Sequence, residues 1–258
     1  MLAATCGPND ATRIAREAAA DGADLILVLG GDGTINEAVN GMVHSNAVLG
    51  ILPGGTANVV AMELGLGSRL RRAIQRLSKC EPRRVSVGLA HAADARHFLA
   101  MSGAGLDARI VYDINPQFKA RAGKLAYWLT GFAHATQPVG QLEARINGSS
   151  YRCGFMLASR VRNYGGDLEI ARGASLAHDD FEIVLFEGSN PLRYLWYMLG
   201  VAAGRVQKMA GVHTVRGGAV DLTGDVHLQI DGEYAGTLPA RIEIVPRALT
   251  LLMPPEYR

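Results

Sequence analysis

The chain has 258 residues, 48% of them apolar and 19% charged, with a net charge of +2. That composition supports a real core, excludes a disordered chain, and makes no electrostatic case for a nucleic-acid partner. The length suits one large domain or two small ones.

Three cysteines, Cys6, Cys80 and Cys153, are far apart and odd in number. They fit neither a zinc site nor a disulfide framework and point to a reducing compartment. Met1 to Gly7 shows no basic n-region or apolar signal core. The longest apolar run, Tyr194 to Ala203, is too short to span a bilayer. The expectation is a soluble, cytoplasmic protein.

In chain order, Asn9 or Asp10 is placed to cap a helix that carries Ile14, Ala15 and Ala18 and ends at Gly22. Leu25–Leu29 reads as a strand buried on both faces. It runs into Gly30, Gly31, Asp32, Gly33 and Thr34, after which helix-compatible sequence resumes with Asn36, Glu37, Ala38, Val39 and Asn40. Glycines let the backbone turn where a side chain would clash and leave N–H groups open to an anion. The helix that follows adds the positive end of its dipole. Asp32 would repel a bare phosphate unless a cation or a hydroxyl mediates, which suggests a nucleotide phosphate with Mg²⁺. A tight strand–helix turn with no ligand is the plainer alternative.

Val48–Leu52 repeats the strand pattern and ends in a second glycine turn, Pro53-Gly54-Gly55-Thr56. Ser68 then caps a helix with Leu70, Ala73, Ile74 and Leu77 inward and Arg69, Arg71, Arg72 and Arg76 outward. Such an array predicts a parallel sheet, whose ligands gather at the carboxyl ends of the strands. Both glycine turns lie at such ends and read as one site.

From about Val85 the pattern becomes period-two: Val85/Val87, Phe98 to Met101, Tyr151 to Ala158, Glu182 to Phe186, Val226/Leu228/Ile230, Ile242/Ile244 and Leu249/Leu251. Glycine, asparagine and proline punctuate these segments, as in an antiparallel sandwich. Helices are expected near 122–135 and 191–209. The expected fold class is α/β: a Rossmann-like parallel-sheet nucleotide domain over residues 1–87, and an antiparallel sandwich-like β-rich domain over 88–258. The last strand is expected to pack back on the first domain. On the Val226/Leu228/Ile230 alternation, Asp231 and Glu233 share the opposite face and reach one cleft; a hairpin turn with solvated acids is the alternative.

Other features admit ordinary readings. The seven histidines show no pair at metal-binding spacing. Asn163-Tyr164-Gly165-Gly166 resembles the glycine-rich strip that lines the cleft between domains in the family named below, with a plain loop as the alternative. Residues 192–199 place aromatics beside Arg193, with Arg205 and Lys208 downstream, which suits a core helix or a membrane interface.

Taken together, Gly30-Gly31-Asp32-Gly33-Thr34-Ile35-Asn36-Glu37, Leu52-Pro53-Gly54-Gly55-Thr56-Ala57-Asn58 and Asp231-Gly232-Glu233 resemble the three blocks of the diacylglycerol kinase catalytic family. That family includes bacterial lipid kinases, with sphingosine and ceramide kinases as relatives. Gly103-Ala104-Gly105-Leu106-Asp107 matches the glycine-rich strand end that opens the family's second domain. The resemblance spans nearly the whole chain and implies an ATP-dependent lipid kinase. Its nucleotide would be held by Thr5, Gly30, Gly31, Asp32, Gly33, Thr34, Asn36, Thr56 and Asn58. Glu233 would be the base, with Asp231 as runner-up. A Mg²⁺ site is implied at Leu176-Ala177-His178-Asp179-Asp180-Phe181, through the carbonyls of Leu176 and Phe181 and the carboxylate of Asp179. The implied partner is a lipid alcohol at a membrane surface. Homodimers also occur among relatives.

The family pattern is not met everywhere. It normally begins with another strand and helix bearing an Asn-rich contact, whereas Met1 falls at about the second strand. The expectation is either an upstream start or a nucleotide site lacking that part. Many members carry Asp where Val59 stands, and often an acid at the position of Ser86, so fewer carboxylates are expected around Asp32. An NAD kinase-like enzyme, which shares a Gly-Gly-Asp-Gly-Thr block, and a non-catalytic nucleotide- or lipid-binding homologue are the other readings.

Overall fold

The computed structural model describes residues 1–113, 139–165 and 168–258. The helix expected near 122–135 and Gly166 lie outside the described residues.

The first part alternates helix and strand: α1 Asp10–Ala20, β1 Leu25–Gly30, α2 Asp32–Met42, β2 Val48–Pro53, α3 Val59–Glu63 and α4 Leu70–Leu77. Strands then dominate: β3 Glu81–His91, β4 Ala95–Phe98, β5 Met101–Gly105, α5 Leu106–Asp113, β6 Leu142–Ile146, β7 Ser149–Cys153 and β8 Phe155–Ser159. The remainder is β9 Asn163–Tyr164, β10 Leu168–Glu169, β11 Phe181–Phe186, α6 Pro191–Ala202, β12 Val212–Gly217, β13 Ala219–Gly224, β14 His227–Ile230, β15 Glu233–Thr237 and β16 Ala240–Met253.

An eight-stranded sheet runs β1-β2-β16-β13-β6-β7, with β3 pairing β16 and β4. A six-stranded sheet runs β12-β11-β8-β5-β14-β15. Strand β16 joins the two sequence patterns: it pairs in parallel with β2 through Thr250↔Val48 and Leu251↔Leu49, and antiparallel with β3 along most of its length. The Ile242/Ile244 and Leu249/Leu251 segments are thus one strand. A register shift between Val245 and Leu249 spans Pro246, which has no N–H to give, and Arg247, at φ 50°.

Strands β8 and β11 are buried on both faces and serve two cores. Leu157, Val184 and Phe186 pack with Ile35, Val39, Leu49, Ile51 and Leu249. Met156, Ala158, Phe181, Ile183 and Leu185 pack with Phe98, Leu142, Leu222, Leu228 and Ile242. Period-two apolar residues here seal the six-stranded sheet against both neighbouring layers.

Three expectations are corrected. Strand β1 is an edge strand, and only its Ile26/Val28 side packs on the core; Leu25, Leu27 and Leu29 are 47%, 52% and 56% exposed. In α4 only Ala73 and Leu77 are buried, while Leu70 and Ile74 stay in solvent, and the N-cap is Arg69 instead of Ser68. The helix at 191 stops at Ala202 because Gly204, at φ 63°, turns the chain out of it; a short 3-10 turn, Val206–Lys208, follows. Among the described residues no helix is long and apolar enough to cross a membrane.

Candidate active site

Strands β1 and β2 run parallel with Gly30 opposite Pro53, so both glycine turns leave the sheet at the same end. The Gly54 N–H donates to the Gly30 carbonyl at 2.9 Å. A Cβ on Gly54 would fall 3.0 Å from Gly30 N, and one on Gly55 would overlap Gly31 Cα. Glycine is needed here because two backbones touch. Helix α2 begins at Asp32 with Gly31 as its N-cap, and the cap residue makes no side-chain hydrogen bond to the first turn. That leaves a helix N-terminus, the usual seat for a phosphate, at the joint rim of the turns.

The sequence-predicted residues divide by location. Gly30, Gly31, Asp32, Gly33 and Thr34 form the first turn, and Thr56 is exposed in the second. Thr5 is exposed in the irregular segment ahead of α1. Asn58, at φ 49°, is buried and stitches its turn: Oδ1 accepts from Gly55 N at 2.8 Å and Nδ2 donates to Gly55 O at 2.7 Å. Asn36 is also buried. Its Nδ2 donates to His97 O at 3.0 Å and Asp231 Oδ2 at 2.9 Å, while Oδ1 accepts from Arg96 Nε at 2.8 Å. Both asparagines brace loops.

Asp32 Oδ1 accepts from the Val59 N–H at 2.7 Å, tying the first turn to the start of α3. Burial pushes the Asp32 carboxyl above its ordinary range, and the nearby Asp231 charge adds to this.

The shared strand face expected for Asp231 and Glu233 is corrected. Ile230 pairs with Glu233, so Asp231 and Gly232, both at positive φ, form the hairpin turn between β14 and β15. The two acids therefore have different surroundings. Asp231, at φ 48°, accepts from three consecutive N–H groups, Leu99 at 3.1 Å, Ala100 at 3.0 Å and Met101 at 2.9 Å, besides Asn36. Burial raises its proton affinity and those donors oppose the rise. Glu233 opens β15 with its side chain 42% exposed, ion-paired through Oε2 to Arg96. Its Oε1 lies against Gly33, where a Cβ would overlap it. Glu233 therefore sets a carboxylate at the mouth of the first glycine turn, and Arg96 joins it to Asn36. No motif marks Arg96; it is one arginine in a short strand, recognisable only through the contact.

Sequence reading also missed Glu63. This buried carboxylate accepts from Arg162 N at 2.9 Å, Arg162 Nε at 3.1 Å, Asn163 Nδ2 at 3.2 Å and the Tyr257 hydroxyl at 2.9 Å. It joins α3 to the strip at 162–164 and to the C-terminal segment.

Two of the three residues implied to hold Mg²⁺, Leu176 and Asp179, have other partners in the structure. The Leu176 carbonyl accepts from Arg160 Nη2 at 3.0 Å, and Asp179 accepts from the Ser86 hydroxyl. Arg160 is fully buried, its pKa pushed down to about 10 by desolvation, yet still a cation. Among the described residues no group of three or more His, Cys, Asp or Glu side chains is placed to hold a metal.

The family model for the Diacylglycerol kinase catalytic domain matches residues 1–90. That for the YegS C-terminal NAD kinase beta sandwich-like domain matches residues 100–253. The chain belongs to the diacylglycerol kinase family. A curated relative, the Diacylglycerol kinase of Bacillus subtilis (strain 168), is 29% identical over 265 residues, covering 98% of this chain and 85% of that one. The Diacylglycerol kinase of Staphylococcus aureus (strain JH9) is 26% identical over 254 residues, covering 95% and 79%. A crystal structure from Bacillus anthracis str. Sterne superposes with a TM-score of 0.83 at 23% identity, covering 98% of this chain and 84% of that chain. Another, of a diacylglycerol kinase from the same organism, gives 0.78 at 23% identity, covering 97% and 84%. At that identity the structures speak for the fold, which agrees with the family's α/β plan and C-terminal sandwich.

Proposed function

We propose that this chain transfers the γ-phosphate of ATP to a hydroxyl of diacylglycerol or a related lipid alcohol. The observation that carries the reading is the Glu233 carboxylate, delivered by the strand-rich half and standing against Gly33 of the phosphate turn. Phosphoryl transfer asks for oriented N–H donors at the phosphates and a carboxylate at the attacking hydroxyl, and these two features supply both.

The nucleotide lies with its phosphates over residues 30–34, the Thr34 and Thr56 hydroxyls at the rim and Thr5 on the nucleotide side. Asn58 holds the second turn, and Asn36 ties α2 to the His97 carbonyl and to Asp231 behind the first turn. Mg²⁺ bound with the triphosphate would neutralise its charge, and Asp32, whose carboxyl burial holds above its ordinary range, would be stabilised as a carboxylate by such a cation beside the turn. Glu233 takes the proton of the lipid hydroxyl. The hydroxyl oxygen then bonds to the γ-phosphorus as the bond to the β–γ bridging oxygen breaks, and ADP leaves. Arg96 keeps the Glu233 carboxylate aimed at the turn. Asp231 anchors the 99–101 backbone behind it.

The lipid is drawn from a membrane surface. Helix α6 holds Leu192, Trp196 and Leu199 at 67%, 63% and 63% exposure, spaced to share one face, with exposed Arg205 and Lys208 beyond its end. That pattern supports peripheral contact with an anionic bilayer.

Transfer of labelled γ-phosphate to diacylglycerol in mixed micelles tests the reading. NADP formation from NAD, assayed in parallel, tests the NAD kinase alternative. Thermal-shift titration with ATP and Mg²⁺ tests nucleotide binding apart from turnover, since a ligand of the native state raises the midpoint.

A further inference from the structure

Arg160 follows β8 directly and is fully buried. Its guanidinium donates through Nη2 to the Leu176 carbonyl at 3.0 Å and through Nη1 to the His178 carbonyl at 3.1 Å. Both carbonyls belong to the turn leading into β11, the turn at which family resemblance implies a divalent metal. From the solvent side Arg216 grips the same turn. It donates to Asp180, to the Gly173 carbonyl at 2.9 Å, and contacts His178 Nδ1 at 2.8 Å. We propose that the Arg160 guanidinium is the built-in cation of this turn and takes the place of the metal ion.

Donor chemistry supports the replacement. A guanidinium offers N–H donors in a fixed fork and no acceptor, so it suits two carbonyls of one tight turn. A Mg²⁺ ion on the Leu176 carbonyl would sit against those N–H groups and their positive charge, with no neutral form of arginine available to relieve the repulsion.

Charge count gives a second, separate reason. Hard divalent ions gather carboxylates. Where family members often carry an acid, this chain has Ser86, which donates its hydroxyl to Asp179 and accepts from Arg247 N at 3.0 Å. Two carboxylates then remain in the turn, Asp179 and Asp180, and two arginine charges, Arg160 and Arg216, offset them, with Asp180 ion-paired to Arg216. Asp179 and Asp180 both act on Arg160 in the direction that keeps it protonated.

The turn has a mechanical task that explains why a cation is kept there. Ser175 Oγ donates to Arg258 O at 2.8 Å. Leu176 N donates to the Tyr257 hydroxyl at 3.1 Å, and that hydroxyl donates to Glu63 on α3. Arg160 thereby fixes the brace between the strand-rich half and α3 with no call on free metal.

Hydrogen exchange of the segment 173–181, read by mass spectrometry on the full chain without nucleotide, tests this apart from any activity. Wild type should show the same protection in excess EDTA as in excess MgCl₂. Protection of that segment that rises with Mg²⁺ overturns the proposal. Arg160→Met should speed exchange of 173–181 by tenfold or more whether or not Mg²⁺ is present. Unchanged exchange in a folded Arg160→Met protein also overturns it. Should that variant not fold, the wild-type comparison decides alone.

Discussion

Glu233 Oε1 lies in the space that a Cβ on Gly33 would occupy. The contact joins residues 200 positions apart and brings the acid of β15 onto the first turn of α2. Its meaning is steric as well as electrostatic. A carboxylate can approach this glycine turn that closely only because position 33 has no side chain.

Glu233→Gln should lower kcat by about 10²–10⁴-fold, the usual range for a lost general base, with the unfolding midpoint almost unchanged. Gly33→Ala should approach the same loss by displacing the carboxylate, while leaving stability intact, since Gly33 has an ordinary helical backbone outside the positive-φ group. Labelled phosphate transfer and thermal unfolding on the same preparations separate the two effects. Full activity in Gly33→Ala would remove Glu233 from the mechanism.

Asp231→Ala should destabilise by on the order of 4 kcal/mol, measured by urea unfolding, because it leaves three backbone N–H groups and the Asn36 amide without their acceptor. Asp231 and Glu233 thus answer to different assays. A variant at 231 loses stability first, and one at 233 loses turnover. A change below about 1 kcal/mol in Asp231→Ala would mean that water replaces the carboxylate and that the 99–101 turn does not depend on it.

The glycine turns were legible in the sequence because their function requires a local signal: backbone contact demands glycine, and Gly54 and Gly55 do press on Gly30 and Gly31. The alternation around Leu228 likewise appears as a strand. Burial was less legible. Leu25–Leu29 reads as a doubly covered strand, but coverage depends on what packs beside β1, and no local pattern encodes that neighbour. Arg96, Glu63 and Arg160 were illegible for a related reason. Each gains its role from a partner on another element: Arg96 from Asn36 and Glu233, Glu63 from Arg162 and Tyr257, Arg160 from the turn at 176–178. A single polar residue carries no sign of such a partner until the chain is folded.

Asp32→Asn should gain stability relative to wild type as pH rises. Burial raises the Asp32 carboxyl in the native state above its ordinary value of 3.8, so the native state holds the proton more tightly than the unfolded chain. The contribution is fully present below that ordinary value and is lost as pH climbs through the raised native value. Asparagine does not titrate and still offers an oxygen to the Val59 N–H. Urea unfolding of both proteins from pH 3.5 to pH 7, in about half-unit steps, should show the gap widening and then levelling. A gap that narrows with pH would place Asp32 among the carboxylates stabilised in their charged form.

Tyr257→Phe should cost about 1–3 kcal/mol, more than an exposed tyrosine would, because its hydroxyl serves two buried groups. It accepts from Leu176 N at 3.1 Å and donates to Glu63 Oε1 at 2.9 Å, and burial pushes its pKa up to about 12. Removing it leaves an unpaired N–H in the Arg160 turn and takes one donor from a carboxylate with no solvent exposure. Glu63 still receives Arg162 and Asn163, so the fold survives and the loss is local. Hydrogen exchange should therefore quicken at 173–181 and in α3 before it does so in β8 or β11. Uniform acceleration across the chain would show instead that the C-terminal segment is part of the global unfolding unit. In that case Tyr257 would not be a brace confined to one joint.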